Sequence, residues 1–479
     1  MISKRDFKKI NDWLWEVPKD FRNDMRVPAR TYLSLEMLED AFRDRSISQL
    51  VNVATLPGIV GYSIAMPDMH EGYGFPIGGV AAMKIEDGVI SPGGVGYDIN
   101  CGMKLLASEC TEKELKPYLE KLAAKTQEEV PSGLGRGRER MLDIFYIEKI
   151  LKGGAGVVVE EGEGEEEDLK NCESGGNLSG ADPSLVSDHA KRRGRDQVGT
   201  LGSGNHFLEI QKVAEIFDED IANTFGLFRG QVVVMIHTGS RGLGHQIATD
   251  YIKVMMKAMP KYGIKLPDRE LAACPVKSAE GQRYLSAMAC GANYAWANRQ
   301  RIAHFVRKSW KAVLGDKPLR AVYDVAHNIA KIEKHKIKGK ERELCLHRKG
   351  ATRAFPPNHP EIPEKYKKSG QPVLVPGSMG TASYILAGVE TGKDAFYSTN
   401  HGAGRRMSRK EAARRVSGQE VVKELGKRGI IVKCQSFRGI GEEAPLAYKD
   451  IGNVVEVVHQ AGLSKKVAKV VPLAVIKGE

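Results

Sequence analysis

The chain has 479 residues, of which 42% are hydrophobic, so it can bury a large core. Its 72 lysine and arginine residues outnumber 60 acidic residues, and the net charge of +12 favours a polyanionic partner such as nucleic acid. The seven cysteines form no CxxC pair and no dense pattern, which argues against a disulfide framework and a zinc ribbon. No apolar run is long enough to span a membrane and no secretory core is present, so we expect a soluble, cytoplasmic protein without membrane association.

The predicted elements mix helices and strands along the whole chain. Apolar residues at helical spacing predict helices over 4–50, 112–152, 244–258, 278–314 and 451–462. Short apolar runs bounded by glycine or polar residues predict strands within 54–109 and at 206–212, 231–237, 319–327, 371–379 and 429–434. Within the first of these regions, Asp87-Gly88 between two apolar runs predicts a hairpin.

No fixed-period repeat and no proline- or serine-rich linker divides the sequence. We therefore predict a single large interwoven domain over 1–479, of the α+β class, with mixed β-sheets flanked by helices. Segment 153–170 contains the acidic run EEGEGEEED at 160–168. Such a composition is typical of solvated chain and predicts a mobile surface insertion without a catalytic role.

The stretch GGVGYDINCGMKLL at 93–106 places Asp98 and Cys101 three positions apart among four glycines. Glycine lets the backbone approach a ligand closely, and a carboxylate with a thiolate suits a divalent metal or a nucleophile. An ordinary glycine-rich turn with a small buried cysteine would show the same pattern.

Four histidines, His206, His237, His327 and His401, end or follow apolar runs. A single histidine in this setting is usually an ordinary hydrogen-bonded residue, but a shared placement at strand ends is typical of catalytic groups on a rigid scaffold. Together with the carboxylate and thiolate they make a mixed set of O, N and S ligands for Zn or Mn. The set exceeds the needs of one tetrahedral site; a thiolate can bridge two ions, and paired ions suit phosphoryl transfer.

Three loops, 199–207, 375–383 and 401–409, combine glycine, small hydroxyl residues and arginine. Their backbone N–H groups and arginines could bind phosphate, although none has the Walker A or the Rossmann pattern. Basic residues elsewhere could line a nucleic-acid groove or form an ordinary solvated face. The basic positions in question are Lys191–Arg195, Arg241, His347–Lys349, Arg353, Arg405, Arg406 and Arg409.

Taken together, these motifs resemble the RtcB family of RNA ligases. The resemblance runs from residue 67 to residue 478 and is carried, in this order, by GGVGYDINCG, RDQVGTLGSGNHFLEI, HTGSRGLGH, YDVAHN, HRKGATRAF, PGSMGTASY and NHGAGRRMSR. It implies an RtcB-type fold and an enzyme that uses GTP and two Mn²⁺ ions. Such an enzyme joins RNA ends bearing a 2′,3′-cyclic phosphate or a 3′-phosphate to 5′-hydroxyl ends, in tRNA splicing or RNA repair.

The resemblance also implies a role for individual residues. His401 would be the nucleophile that carries GMP, assisted by Asp68. One Mn²⁺ would be held by Asp98, Cys101 and His206, and the other by Cys101, His237 and His327. The GTP pocket would comprise Asn205, His206, Phe207, Leu208, Glu209, His327, Asn328, Pro376, Gly377, Ser378, Met379, Ser383, His401, Gly402, Ala403, Gly404, Tyr448 and Lys477. RNA phosphates would be bound by Arg193, Arg241 and Arg409.

Two positions depart from the family pattern, since Asn358 stands where glycine is expected and Glu479 extends the usual KG ending. We expect a monomer with RNA as its partner, and the family also suggests an archease-like activator. Two alternatives stay open. A two-metal phosphoesterase or nuclease would use the same ligands but leave His401 without a purpose, and a non-enzymatic RNA-binding protein would need neither GTP nor metal.

Overall fold

The computed structural model describes residues 2–133, 137–138 and 141–478, and Glu479 lies outside them. The strands are β1 (Lys8–Lys9), β2 (Leu14–Val17), β3 (Ala29–Tyr32), β4 (Ile59–His70), β5 (Ile77–Lys84), β6 (Val89–Ile90), β7 (Gly102–Thr111), β8 (Phe207–Ile216), β9 (Gln231–Thr238), β10 (Cys274–Pro275), β11 (Leu319–Ala326), β12 (Asn328–Ile337), β13 (Lys340–Lys349), β14 (Ala351–Arg353), β15 (Pro372–Val375), β16 (Ser383–Gly388), β17 (Ser398–Asn400), β18 (Ile431–Cys434) and β19 (Ser464–Lys477). The helices are α1 (Leu35–Ala41), α2 (Ser46–Val53), α3 (Glu112–Leu115), α4 (Leu119–Glu129), α5 (Ile144–Gly153), α6 (Ala155–Glu160), α7 (Glu166–Lys170), α8 (Asp188–Gly194), α9 (Glu219–Phe225), α10 (Arg241–Ala258), α11 (Ala279–Leu314), α12 (Arg409–Arg415), α13 (Gly418–Lys427), α14 (Arg438–Glu442) and α15 (Ile451–Gln460).

Two large sheets carry most of these strands. The first has the order β1-β2-β3-β4-β5-β13-β12, and the second has the order β11-β7-β9-β8-β19-β16-β15, with β18 alongside β19. Both are mainly antiparallel, with parallel pairing of β3 to β4 and of β18 to β19. The predicted α+β class is confirmed.

The long helix α11 holds the candidate site against the second sheet. Its middle turns are built from alanine, glycine and cysteine and are buried on all sides, so the neighbouring chain can come close. A Cβ atom on Gly291 would lie 3.2 Å from Ile99 side-chain atoms. The fully buried Arg299 donates hydrogen bonds to the carbonyl oxygens of Asn100 (2.7 Å) and Thr238 (2.9 Å). The helix thereby fixes the loop that follows Asp98 and the end of β9.

Most of the predicted elements are confirmed, including the helices α10 and α11 and the strands β8, β9 and β11. The helix predicted over 4–50 is wrong before residue 34, where β1, β2 and β3 form a small antiparallel unit. Pro18 and Pro28 interrupt helical backbone there, and Trp15 and Val17 bury alternate side chains as a strand does. The predicted hairpin is also wrong, because β6 pairs with β10 instead of β5.

The acidic segment is more ordered than its composition suggests. It forms α6 and α7, and although Glu165–Glu167 are exposed as expected, Asp168 is buried. Arg307 binds both oxygens of the Asp168 carboxylate, at 2.6 and 2.7 Å. Burial raises the pKa of Asp168, but the hydrogen bonds and charge of Arg307 hold it well below its usual range. The expectation of a wholly solvated segment is therefore wrong at this position.

Among the described residues, no helix combines the length and the apolar character that crossing a membrane would require.

Candidate active site

The candidate metal ligands meet because of the antiparallel order of the second sheet. β7 starts where β9 and β11 end, and β8 starts beside the end of β9. Residues at these adjoining strand ends must lie together at one edge of the sheet. They are Cys101, His206, His237 and His327, and Asp98 lies in the loop that leads into β7.

Two groups of ligand atoms share the Cys101 thiol. In the first group, His206 Nε2 lies 3.4 Å from Cys101 Sγ and 2.9 Å from Asp98 Oδ2. In the second group, His237 Nε2 lies 3.3 Å from Cys101 Sγ and 3.3 Å from His327 Nε2. Each group has the geometry to hold a metal ion. These are the two triplets that the resemblance implied.

The protonation of the buried histidines fits a metal site. Burial, together with neighbouring histidine rings, lowers the pKa of His237 and of His327 well below the usual value. His237 Nδ1 lies 3.1 Å from the carbonyl oxygen of Asn205 and must donate its proton there, which leaves a lone pair on Nε2. Burial and the Asp98 carboxylate raise the pKa of the Cys101 thiol. Neutral imidazoles, a thiol and a carboxylate that converge in this way fit a borderline divalent cation, which would favour the thiolate.

His401 and Asp68 form a second pair next to the ligand cluster. Asp68 is fully buried, and its Oδ2 atom accepts hydrogen bonds from His401 Nδ1 at 2.5 Å and from the backbone nitrogens of His401 (3.0 Å) and Gly402 (3.2 Å). The side chain of His401 stays 13% exposed, and its ring centroid lies 5.1 Å from that of His327. Gly404 has φ of +75°, and a Cβ atom there would lie 2.1 Å from the carbonyl oxygen of Asp68. Glycine is therefore required for this close approach.

A cavity of about 240 Å³ lies between the ligand cluster and His401. Most of the residues predicted to bind GTP line it, namely Asn205, Phe207, His327, Asn328, Pro376, Gly377, Ser378, Met379, His401, Gly402, Ala403, Gly404, Tyr448 and Lys477. Leu208, Glu209 and Ser383 are buried behind its wall, and His206 belongs to the ligand cluster.

Lys477, which lines the cavity, and Glu209, which is buried behind its wall, are strongly perturbed by burial. Burial raises the pKa of Glu209 to about 8 and lowers the pKa of Lys477 to about 8. Glu209 accepts a hydrogen bond from Gln211 (2.7 Å), and Lys477 Nζ donates to the carbonyl oxygen of His206 (3.2 Å). A buried acid and a buried base next to each other can recognise a polar heterocycle that offers both donors and acceptors.

The loop at 375–383 differs in one respect from the phosphate-binding nest that its sequence suggests. The backbone nitrogen of Gly377 donates to Ser383 Oγ (3.1 Å), and that of Ser378 donates to Thr381 Oγ1 (2.8 Å). These two N–H groups are engaged within the loop, as is the Ser378 hydroxyl, which lies 3.2 Å from Thr381 Oγ1, so the two N–H groups do not form a free backbone nest.

The three arginines predicted to bind RNA have different surroundings, and only Arg409 belongs to the cavity lining. Arg409 lines the cavity, and its Nε donates to Glu443 at 2.8 Å. Arg241 Nε lies 3.2 Å from Thr200 Oγ1, and its charge acts on Asp98. Arg193 is exposed at the end of α8.

Several other basic positions do not form the groove that was considered from the sequence. Arg348 is buried and paired with Glu333 at 2.6 Å, and Arg353 is buried with its Nη1 2.9 Å from Glu361. Lys191 is paired with Glu148 at 2.6 Å. These residues stabilise the interior of the fold.

Glu443 is a site residue that sequence reasoning missed. It is 2% exposed and accepts hydrogen bonds from Arg405 (2.8 Å), Arg409 (2.8 Å) and the Tyr448 hydroxyl. Its segment, GEEAP at 441–445, has no local pattern that marks a site. Only the excess of arginine in the loop at 401–409 indicated that a buried acidic partner was needed.

Comparisons with known proteins agree with this geometry. The family described as "tRNA-splicing ligase RtcB" matches residues 49–478. A protein of that name from Thermococcus kodakarensis is 54% identical over 98% of each chain, and one from Methanococcus maripaludis is 51% identical over 99% of this chain and 100% of the relative. The "RNA-splicing ligase RtcB" of Mycobacterium bovis is 54% identical over 90% of this chain and all of the relative. A match of this extent, on a fold that brings the cysteine, the histidines and Asp68 into one site, means that the chain belongs to the RtcB family of tRNA-splicing ligases.

Proposed function

We propose that this RNA ligase joins RNA ends bearing a 2′,3′-cyclic phosphate or a 3′-phosphate to 5′-hydroxyl ends through a covalent GMP adduct of His401. The observation that carries the proposal is the 2.5 Å contact between the buried Asp68 carboxylate and His401 Nδ1, beside the ligand cluster and the cavity. A histidine–aspartate pair can also activate water as a general base, so covalent labelling of His401 by GTP is what separates the ligase from a phosphoesterase.

Asp68 fixes the tautomer of His401. Because Nδ1 donates to the carboxylate, the proton sits on Nδ1 and the lone pair on Nε2 is free for attack. That lone pair forms a bond to the α-phosphorus of GTP, the bond to the β-phosphate oxygen breaks, and pyrophosphate leaves. The imidazole gains positive charge in this step, and the Asp68 carboxylate stabilises it.

The cavity lining orients the nucleotide. We assign the guanine base to the part of the cavity lined by Tyr448 and Lys477, with Glu209 buried behind that wall. The ribose and phosphates are assigned to the side of Ser378 and Gly402–Gly404, next to His401. Asn205 and Asn328 lie between this lining and the metal ligands. Asn328 is well placed to couple the two, because it donates to the carbonyl oxygen of Asp98 (3.1 Å) and accepts from the Gly350 nitrogen (2.7 Å).

Two Mn²⁺ ions would be held by the two triplets that share Cys101. When bound, they supply positive charge that neutralises phosphate oxygens and orients them for displacement. Arg409, in the cavity lining, and Arg241, whose charge acts on Asp98, add fixed positive charge.

The remaining steps return His401 to its starting state. A 3′-phosphate oxygen of the RNA attacks the phosphorus of the adduct, the P–N bond breaks, and the lone pair returns to Nε2. The 5′-hydroxyl oxygen then attacks the RNA 3′-phosphorus, GMP leaves, and the hydroxyl proton passes to solvent. A cyclic phosphate end is first opened by water to a 3′-phosphate.

The relatives are named as tRNA-splicing ligases, and we propose tRNA halves as substrates, with broken RNA in repair as a second source of the same ends. The monomeric state, the cytoplasmic location and an archease-like activator stay predictions.

An RNA-joining assay tests the proposal. One RNA carries a 2′,3′-cyclic phosphate and a second carries a 5′-hydroxyl; both are incubated with the protein, GTP and Mn²⁺. We expect a joined product with the wild type and none with His401→Ala. RNA binding that is indifferent to GTP and metal, or hydrolysis of the phosphate end without joining, would contradict the proposal.

A further inference from the structure

Three aromatic side chains form a cluster at the edge of the site, outside the cavity described above. This aromatic ladder consists of Tyr73, Tyr97 and His245. The rings of Tyr97 and His245 are stacked, with centroids 4.8 Å apart and planes inclined by 24°, and the Tyr73 ring meets Tyr97 at 5.4 Å in an edge arrangement. Tyr73 and Tyr97 are half-buried and His245 is exposed.

The ladder has a rigid base and one open end. Lys349 Nζ donates to the carbonyl oxygens of Tyr73 (2.5 Å) and Phe75 (3.1 Å), which fixes the segment that carries the first ring. Tyr97 covers one face of the His245 ring, and no other aromatic ring of the described residues contacts His245. Because His245 is exposed, its ring offers the position at which a further ring can extend the stack toward solvent.

The ladder lies at the Asp98 end of the ligand cluster. Tyr97 directly precedes Asp98, and His245 lies in the second turn of α10, whose N-cap residue Ser240 contacts Asp98 at 3.4 Å. The contacts described above lead from Asp98 through the shared thiol to His327 and then His401. Along this series of contacts the ladder adjoins Asp98, whereas His401 adjoins His327.

Positive charge flanks the open end. Arg193 is exposed, and its Nη1 donates to Oε1 of Gln246, the residue after His245, at 3.0 Å. A Cβ atom on Gly242 would lie 3.2 Å from Arg193 Nε, so the guanidinium packs closely on the start of α10. Helix α10 has 18 residues, and its N-terminal end adds partial positive charge there. An aromatic face beside arginine is the arrangement with which proteins bind single-stranded RNA ends, by stacking a base and holding its phosphate.

We propose that the aromatic ladder stacks the base of the first nucleotide of the 5′-hydroxyl strand on His245, with Arg193 holding the phosphate that follows. This inference rests on the proposed function. In an in-line displacement at phosphorus the attacking and leaving oxygens lie on opposite sides. GMP leaves beside His401, next to His327, and we assign the attacking 5′-hydroxyl strand to the ladder, next to Asp98.

The test compares His245→Ala with His245→Phe, and His189→Ala serves as the matched control because His189 is an exposed histidine on α8, which also carries Arg193. Three steps are measured separately: labelling of the protein by α-labelled GTP, transfer of GMP to an RNA 3′-phosphate, and joining to a 5′-hydroxyl strand of varied concentration. For His245→Ala we expect normal labelling and transfer, and about a tenfold higher concentration of the 5′-hydroxyl strand at half-maximal joining. That factor equals about 1.4 kcal/mol, within the range for one stacked base. His245→Phe should keep the wild-type value.

A 5′-hydroxyl strand with an abasic first nucleotide provides a second readout. With the wild type, the abasic strand should need about a tenfold higher concentration for half-maximal joining. With His245→Ala the abasic change should raise that concentration little further, because the two changes remove the same contact. Equal defects in His245→Ala and His245→Phe, or additive losses with the abasic strand, would overturn the stacking proposal. If His245→Ala instead impaired transfer of GMP to the RNA 3′-phosphate, the assignment of the ladder to the 5′-hydroxyl strand would be overturned. Absence of labelling in the wild type would instead refute the proposed function.

Discussion

Replacement of Asp68 by asparagine isolates the role of one negative charge. Asp68 Oδ2 accepts all three hydrogen bonds from His401 and Gly402, whereas Oδ1 is buried with no hydrogen-bond partner among the described residues. In Asp68→Asn the amide oxygen can keep the three donors and the NH₂ group can take the place of Oδ1. The substitution therefore removes the charge that stabilises the imidazole as it becomes positive, while the shape is preserved.

The expected loss follows from the strength of a hydrogen bond to a charged group. Such a bond contributes about 1.5–3 kcal/mol, and each 1.4 kcal/mol of barrier is about a factor of ten in rate. We expect the single-turnover rate of protein labelling by α-labelled GTP to fall about 10- to 150-fold, without loss of thermal stability large enough to unfold the protein at the assay temperature. Asp87→Asn is the control, since Asp87 is 60% exposed in the turn before β6. A rate for Asp68→Asn within about twofold of the wild type would refute the assigned role of Asp68.

Three further predictions concern the metals and the stability of the fold. Cys101→Ala should abolish labelling by GTP and lower the bound Mn²⁺, measured by elemental analysis, because both ligand groups share this thiol. Asp98→Ala should disturb mainly the one ligand group that contains Asp98. A Cys101→Ala protein with the wild-type Mn²⁺ content would contradict the bridging thiolate. Burial lowers the pKa of His347 to about 4. Between about pH 6.5 and 4 the unfolded chain therefore binds a proton at this residue that the folded chain does not. As the pH falls through this range, His347 should lower the free energy of unfolding by about 1.4 kcal/mol per pH unit. In denaturant titrations at several pH values, the free energy of unfolding of His347→Gln should depend on pH less steeply than that of the wild type, by that amount. An unchanged pH dependence would contradict the lowered pKa of His347. Asp168→Asn removes the negative charge that pairs with Arg307 and should lower the unfolding free energy by about 3–5 kcal/mol. Glu167→Gln, at an exposed position, should change it by less than about 0.5 kcal/mol, and equal effects would contradict the burial argument.

Local sequence patterns predicted the elements whose environment is uniform along their length. Helix α11 and the buried strands β9 and β11 bury a regular apolar surface, so their periodicity was a sufficient signal. The first 33 residues were mispredicted because β1–β3 are only two to four residues long, and so few apolar residues fit either period. Strand β6 pairs with β10, which lies far along the chain, so no local turn signal could predict its partner.

The site was predictable in its ligands but not in its supporting contacts. Asp98, Cys101 and the histidines stand next to glycines at strand ends, and the sheet order then brings them together. Glu443 and the ladder residue His245 are far in sequence from the groups they contact, so only the folded chain identifies them. Asn358, found where glycine was expected, has φ of +63°, a conformation that asparagine tolerates better than most residues.

The central claim is that His401 carries GMP during the reaction. The most direct measurement is to incubate the wild type and His401→Ala with α-labelled GTP and Mn²⁺, and to map the labelled peptide. We expect an acid-labile, alkali-stable label on the peptide that contains His401, and no label on His401→Ala. No covalent label on the wild type, or a label that persists in His401→Ala, would contradict it.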